Sequence, residues 1–396
     1  MAVEEASEIG RRLRQIRRAR GKSLEVIAGL AGISASYLSR LEKGDRALDR
    51  RSLIVGLAEA LEVAPTEITG PSPGMPRDGD GDRALTDVRL SLLAVSLGEP
   101  QGEVQQIEHL SARVADVLAA QNECRSDVVG ALLPSLVRDL HQTVIAHRHE
   151  REVLRLLALA HMQGTQAWLA TVGAPVDLAW QAATLARHAA EVLDEPMSLA
   201  VSAYGNSLGL LAAGAFDLAS RTVAAVELPL ITPEQMQVAG SLALASSLIA
   251  AAENEPAQQA SALDLANDLA QHTGEGNALG FGFGPSNVGV WRMQGALEVG
   301  EPAEAARIAK TVNPEALAVR ARQAVYWREY GRALARLPRR HDEAVTMLRK
   351  AELISPEHVH RHPFTRSVLA ELLAKSKRNT AGRELRGMAY RAGLPV

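Results

Sequence analysis

Apolar residues recur in this chain at helical spacing, and polar positions fall into step between them. Ile9, Leu13 and Ile16 lie on one face of a first predicted helix. Gly21 ends it, because glycine tolerates the left-handed conformation of a helix C-terminus. Ser23 can cap a second helix over residues 24–31, where the small Ala28 lets two helices cross closely. Gly32 allows a tight turn, and Ile33 packs inward. Ser34 caps a third helix over residues 35–43, which Gly44 stops. In that helix Leu38 and Leu41 face the core, while Ala35, Ser36, Ser39 and Arg40 face outward.

Residues 71–83 break the pattern. Pro, Gly and Asp fill this stretch, cannot build a packed helix, and predict a mobile linker between a head (1–70) and a tail (84–396). From Leu85 onward helix follows helix, with Pro and Gly between the amphipathic stretches. A repeat emerges there. Gly214 is followed by Phe216 and Ala219, and Gly300 by Pro302 and Ala305. Trp327, Tyr330, Gly331, Leu334, Ala344, Ala351 and Pro356 make a fuller third copy, and looser helix pairs fill 150–195 and 233–272. A helix pair cannot bury its own apolar face, so neighbours stack into a superhelix with a concave wall. The predicted architecture is all-α: a five-helix head and an α-solenoid tail.

Composition fits this picture. Apolar residues are 47% of the 396 and aromatics only 3%, which suits helices packed on Ala and Leu. The net charge is −3, so the whole chain is not a general binder of polyanions. A single cysteine, Cys124, rules out an internal disulfide framework and reads as a structural helix residue. No run reaches the roughly 18 apolar residues of a membrane span, and the expectation is a cytoplasmic protein with no membrane partner.

Charge gives the head its chemistry. Between Ile9 and Lys22 stand seven basic residues, among them Arg17 and Arg18, and no acid. Two short helices meeting at the turn around Gly32 make a helix-turn-helix, whose second helix fits a DNA major groove. The run Gly32-Ile33-Ser34, the run Leu38-Ser39-Arg40-Leu41-Glu42-Lys43-Gly44, Ala28 and the later Leu57-Ala58-Glu59-Ala60-Leu61 resemble the XRE/Cro-like helix-turn-helix family over about residues 7–69. That resemblance implies base contacts at Ala35, Ser36 and Arg40. It implies phosphate contacts at Ser23, Ser34, Lys43 and Arg46, with Arg17, Arg18 and Ser39 assisting. Leu24 departs from the Gln usual at the start of the second helix. Arg40 is the strongest base reader, because its guanidinium fork matches guanine O6 and N7.

The third repeat copy resembles a tetratricopeptide repeat. The whole order resembles actinobacterial and firmicute regulators with an XRE-type head and a tetratricopeptide-like tail (the RRNPP architecture). This implies a homodimeric transcription regulator on a double-stranded operator. Its tail would bind a peptide, a small molecule or a partner protein, with no cofactor and no catalysis. The alternative is an adaptor that holds a partner protein and uses DNA as an anchor. Candidate ligand positions are Asn287, Trp291 and Gln294 on one helix, Arg328 and Arg332 on another, and Tyr204 and Phe283. Val290 and Glu298 share the inward face with Asn287. The candidate dimer surface is the repeat tail or the helix over 104–122, on which Ile107, Leu110, Val114, Val117 and Leu118 form one stripe.

Three motifs weigh less. Gly280-Phe281-Gly282-Phe283-Gly284-Pro285 lacks the spacing of a phosphate cradle and reads as a loop at the groove mouth. Gly205-Asn206-Ser207-Leu208-Gly209 spells a nucleophile elbow but lies inside a helical repeat. His358, His360 and His362 alternate after Pro356 as a metal set or, more simply, a polar loop.

Overall fold

The computed structural model describes residues 4–69, 79–376 and 380–394. Among these residues every regular element is helical and no strand occurs. The head comprises α1 (Glu4–Ala19), α2 (Leu24–Leu30), α3 (Ala35–Lys43), α4 (Arg51–Leu61) and α5 (Pro65–Thr69). Its local signals act as predicted. Ser23 accepts from the Val26 amide at 3.2 Å, and Ser34 from the Tyr37 amide at 3.1 Å. Gly21, Gly32 and Gly44 are left-handed at φ 63°, 66° and 76°. Leu13, Ile27, Leu38, Leu41, Leu57 and Ile68 form the head core.

The tail begins with α6 (Gly79–Ser96), α7 (Ile107–Asn122), α8 (Ser126–Ile145) and α9 (Glu150–Leu159). A π-helical turn, Ala160–Gln166, joins α9 to α10 (Ala167–Thr171). Then come α11 (Val176–Leu193), α12 (Pro196–Ala213), α13 (Phe216–Ala224), α14 (Pro233–Glu253), α15 (Pro256–Thr273), α16 (Pro285–Glu298) and α17 (Pro302–Ala309). The chain closes with α18 (Arg320–Ala335), α19 (His341–Ile354), α20 (Pro356–His360), α21 (Pro363–Ala374) and α22 (Thr380–Arg391). Proline opens α12, α14–α17, α20 and α21, where its missing N–H would have no helical partner anyway.

Helices pair as α11/α12, α14/α15, α16/α17 and α18/α19, and α12, α14, α16 and α18 neighbour one another in a row. Three apolar clusters run along the tail, each spanning several consecutive helices. The pairs called at 150–195 and 233–272 are both present. Helix α14 is long and apolar enough to cross a membrane, but 78% of its apolar window is buried inside the fold. It is a central helix of the tail.

Several expectations are corrected. Most of the linker, residues 71–78, lies outside the described residues, yet Gly79 already belongs to α6. Buried Val88 and Leu92 anchor that helix, which extends back over the Asp-Gly residues. The stripe on α7 is no dimer surface: Leu110, Val114 and Val117 are buried in the tail core, and Ile107 and Leu118 pack against it. Cys124 sits in the α7–α8 turn at φ 61° rather than on a helix. Burial pushes its thiol up to about 11. The head is not separate from the tail either, because α1 packs on α21 and α4 on α14.

Candidate nucleic-acid interface

Helix α3 is pinned from behind. Leu38 and Leu41 are sunk in the head core, and the absence of a side chain at Gly10 lets α1 cross the end of α3 closely. A Cβ at Gly10 would lie 2.8 Å from the Glu42 carbonyl oxygen. Across this crossing Arg17 donates to both Glu42 carboxylate oxygens, at 2.5 and 2.8 Å, and to the Lys22 carbonyl at 2.9 Å. Arg17 is 8% exposed. Its assignment to phosphate is therefore corrected: its charge is spent inside the head, fixing the angle at which α3 stands.

The outward face keeps the groove-facing chemistry. Ser36, Arg40 and Lys43 are exposed, one helical turn apart, as are Ser23 and Ser34 at the starts of α2 and α3 and Arg18 in the last turn of α1. Ser39 is half-buried. Ala35 is half-buried too and packs on the head core, so its outward orientation is corrected in part. The Arg40 guanidinium rests 5.8 Å from the Tyr37 ring, an aromatic support that the pattern alone did not reveal.

The segment after α3 is held by the tail. Arg46, expected at phosphate, faces Glu371 of α21 at 3.8 Å. The Ala47 amide donates to the same carboxylate at 2.9 Å. Asp49 pairs with Arg336 at 2.7 Å, and its carbonyl accepts from Arg332 at 3.0 Å. Glu298 accepts from the Ser52 amide at 2.9 Å and pairs with Arg51 at 3.1 Å. The Arg51 and Arg332 guanidiniums both lie over the ring of Phe364, 5.2 and 5.1 Å from its centre. Burial alone would raise the Glu371 carboxyl. Arg336, Lys375 and the Ala47 amide outweigh it and hold the group below the usual carboxylate range.

The proposed ligand positions divide. Arg328 and Arg332 are not open to an anion, because both pair with buried Glu329 and Arg332 also holds Asp49. Phe283 is fully buried in the tail core against Gly240, so it lines no groove mouth. Tyr204 is buried, edge-on to Phe281 at 4.7 Å, and its hydroxyl accepts from Arg322 at 3.2 Å. Asn287, Trp291 and Gln294 differ. Asn287 is 1% exposed, and Asn287 Oδ1, Trp291 Nε1 and Gln294 Oε1 are all buried without a hydrogen-bond partner. At i, i+4 and i+7 they share one face of α16, with the Arg322 guanidinium 5.4 Å over the Trp291 ring.

The weaker motifs resolve simply. Ser207 is fully buried inside α12 and donates to the Tyr204 carbonyl at 2.8 Å, which is no nucleophile elbow. The three alternating histidines diverge: His358 contacts Ser355 at 2.8 Å, His360 contacts Glu352 at 2.6 Å, and His362 caps α21.

Residues 8–69 match the helix-turn-helix domain family. The head is thus a helix-turn-helix DNA-binding domain, and the match spans α2, α3 and α4 entirely. No curated protein and no solved structure matches the chain.

Proposed function

We propose that this protein is a sequence-specific DNA-binding transcriptional regulator with a tetratricopeptide-like tail that takes an effector. The observation that carries the reading is the face of α3. Ser36, Arg40 and Lys43 stand exposed on a helix whose cap, core and crossing angle are all fixed by the head. Arg40 reads a guanine, while Lys43, Ser23 and Arg18 meet phosphates. One long side chain per head gives modest discrimination, so two chains act together as a cytoplasmic homodimer on a near-palindromic site. The effector lies along α16, where Asn287, Trp291 and Gln294 offer two acceptors and one donor in search of partners, a set suited to amide groups.

The test is selection of duplexes from a randomised pool by the full-length protein. A recovered half-site containing a G that Arg40→Ala ceases to prefer supports the reading. Recovery of no consensus removes sequence-specific regulation and leaves the adaptor reading. For the effector, Asn287→Ala should abolish any peptide-induced shift in Trp291 fluorescence while leaving the fold intact.

A further inference from the structure

The tail carries a binding site, and the head occupies it. We propose that segment 46–52, between α3 and the first turn of α4, is held by the tail as its ligand in cis, and that DNA and the tail compete for the head. The inference rests on the DNA-binding reading of the head.

Three observations converge. First, the contacts are specific and hidden. Asp49, Glu298, Arg332 and Glu371 are each at most 8% exposed, and each binds across the head–tail boundary through the pairs described above. Second, the segment carries Arg46 and Arg51, and both face tail carboxylates, Glu371 and Glu298. A carboxylate presents to arginine the same pair of acceptors as a phosphate, so Glu371 takes the arginine expected to meet DNA, Arg46, and Glu298 holds its neighbour Arg51 in the same way. Third, the flank of α3 bearing Ser34, Tyr37 and Arg40 opens into a cleft of about 440 Å³. Leu297, Gly300 and Pro302 close its far side. Arg50 lies directly on Gly300, where a Cβ would sit 2.5 Å from its Nη1. A helix enters a major groove about 12 Å wide and 8.5 Å deep, with a phosphate backbone passing along each flank. The junction of α16 and α17 faces that flank of α3 across the cleft, so in the docked state it stands in the path of one phosphate backbone.

The chemistry of the boundary suits reversal. When an apolar interface parts, both faces meet water unfavourably. When buried ion pairs part, both partners regain hydration, so release is far easier than removal of a single partner would suggest. The docked state is a closed state, and DNA binds the released one.

The amides of Ala47 and Ser52 report the closed state directly, because each donates to a tail carboxylate. Hydrogen exchange is measured on the full-length chain, alone and with a 30-base-pair duplex. Two tail variants, Arg336→Gln and the isosteric Glu371→Gln, leave the head's sequence unchanged. The expected result is exchange at Ala47 and Ser52 at least tenfold faster in both variants, and in the wild type once duplex is added. Both variants should also bind duplex more tightly than the wild type, with amides in the α3 core unchanged as the control for folding. If duplex binds while Ala47 and Ser52 stay protected, or if the variants bind more weakly, the closed-head inference falls and the DNA reading stands. If neither the wild type nor the variants bind any duplex, the DNA reading falls and the competition with it.

Discussion

Glu298, the last residue of α16 in the tail, caps a helix of the head: its carboxylate accepts the Ser52 amide at 2.9 Å and the Ser52 hydroxyl at 3.2 Å. The start of α4 needs this. Its own N-cap position is Arg50, whose side chain makes no capping hydrogen bond. The first amides of a helix lack internal acceptors, and a carboxylate there also meets the positive end of the helix dipole. A residue 246 positions away thereby completes a local motif.

Glu298→Ala should therefore fray the first turn of α4 without unfolding the head. Loss of an N-cap acceptor costs about 1 kcal/mol, equivalent to about fivefold faster exchange of the Ser52 amide. Amide exchange by NMR checks this. An unchanged rate at Ser52 would mean that the turn is held by the chain's own backbone.

Arg17 and Glu42 provide a second test. Removing one partner of a buried ion pair typically costs 3–5 kcal/mol, because the other charge is stranded. Arg17→Ala should lower the head's melting transition sharply, and Arg17→Met combined with Glu42→Leu should restore most of it. The double variant should keep the wild-type salt dependence of duplex binding, since the Arg17 guanidinium is engaged by Glu42 and the Lys22 carbonyl. A salt slope reduced by about 0.9 would reinstate Arg17 as a phosphate contact.

The head was legible because its determinants are local. Ser23, Ser34, Gly21, Gly32 and Gly44 each act on amides or dihedrals within four residues, and sequence spacing reports that directly. The pairing of tail helices was legible for a similar reason, through Gly214 and Gly300 at helix ends and the prolines that open the next helices. What spacing could not report is which charges meet. Arg17 and Arg46 look alike in the sequence as basic residues near a DNA-reading helix. Arg17 finds Glu42 25 positions on, and Arg46 faces Glu371 from the far end of the chain. Arg332, a candidate ligand position by spacing, pairs instead with Glu329 on its own helix and donates to the backbone carbonyl of the head's Asp49. The α7 stripe failed differently: an amphipathic helix buries its apolar face, but periodicity does not say against what.

For DNA recognition the expectation separates two exposed residues on one helix. Arg40→Ala should lose about 1–3 kcal/mol of preference for a selected site over random duplex. Lys43→Ala should weaken both complexes alike and flatten the salt dependence by about one unit. Fluorescence anisotropy across a salt series reads both. Equal loss of specific and random binding in Arg40→Ala would reassign it to the phosphate backbone.

His141 and His161 set an acid limit on the tail. Their Nε2 atoms lie 2.9 Å apart, one N–H donating to the other's lone pair, an arrangement that double protonation would break. Burial lowers both, reinforced at His161 by its neighbour, with His141 at about 4 and His161 well below the usual value. The sign follows from proton uptake. Near pH 5 the unfolded chain holds protons on both rings and the folded chain on neither, so stability falls as pH falls. The contribution is complete above about pH 6.5. Below that it declines by about 1.4 kcal/mol per pH unit for each imidazole until the folded-state value is reached. Thermal unfolding followed from pH 7 to pH 4.5 should show this slope in the wild type. In His161→Leu one titrating ring is gone and the other has lost its partner, so the slope should be visibly shallower. An identical slope in both proteins would place the acid sensitivity elsewhere, with half-buried His358 and His362, also lowered, the next groups to replace.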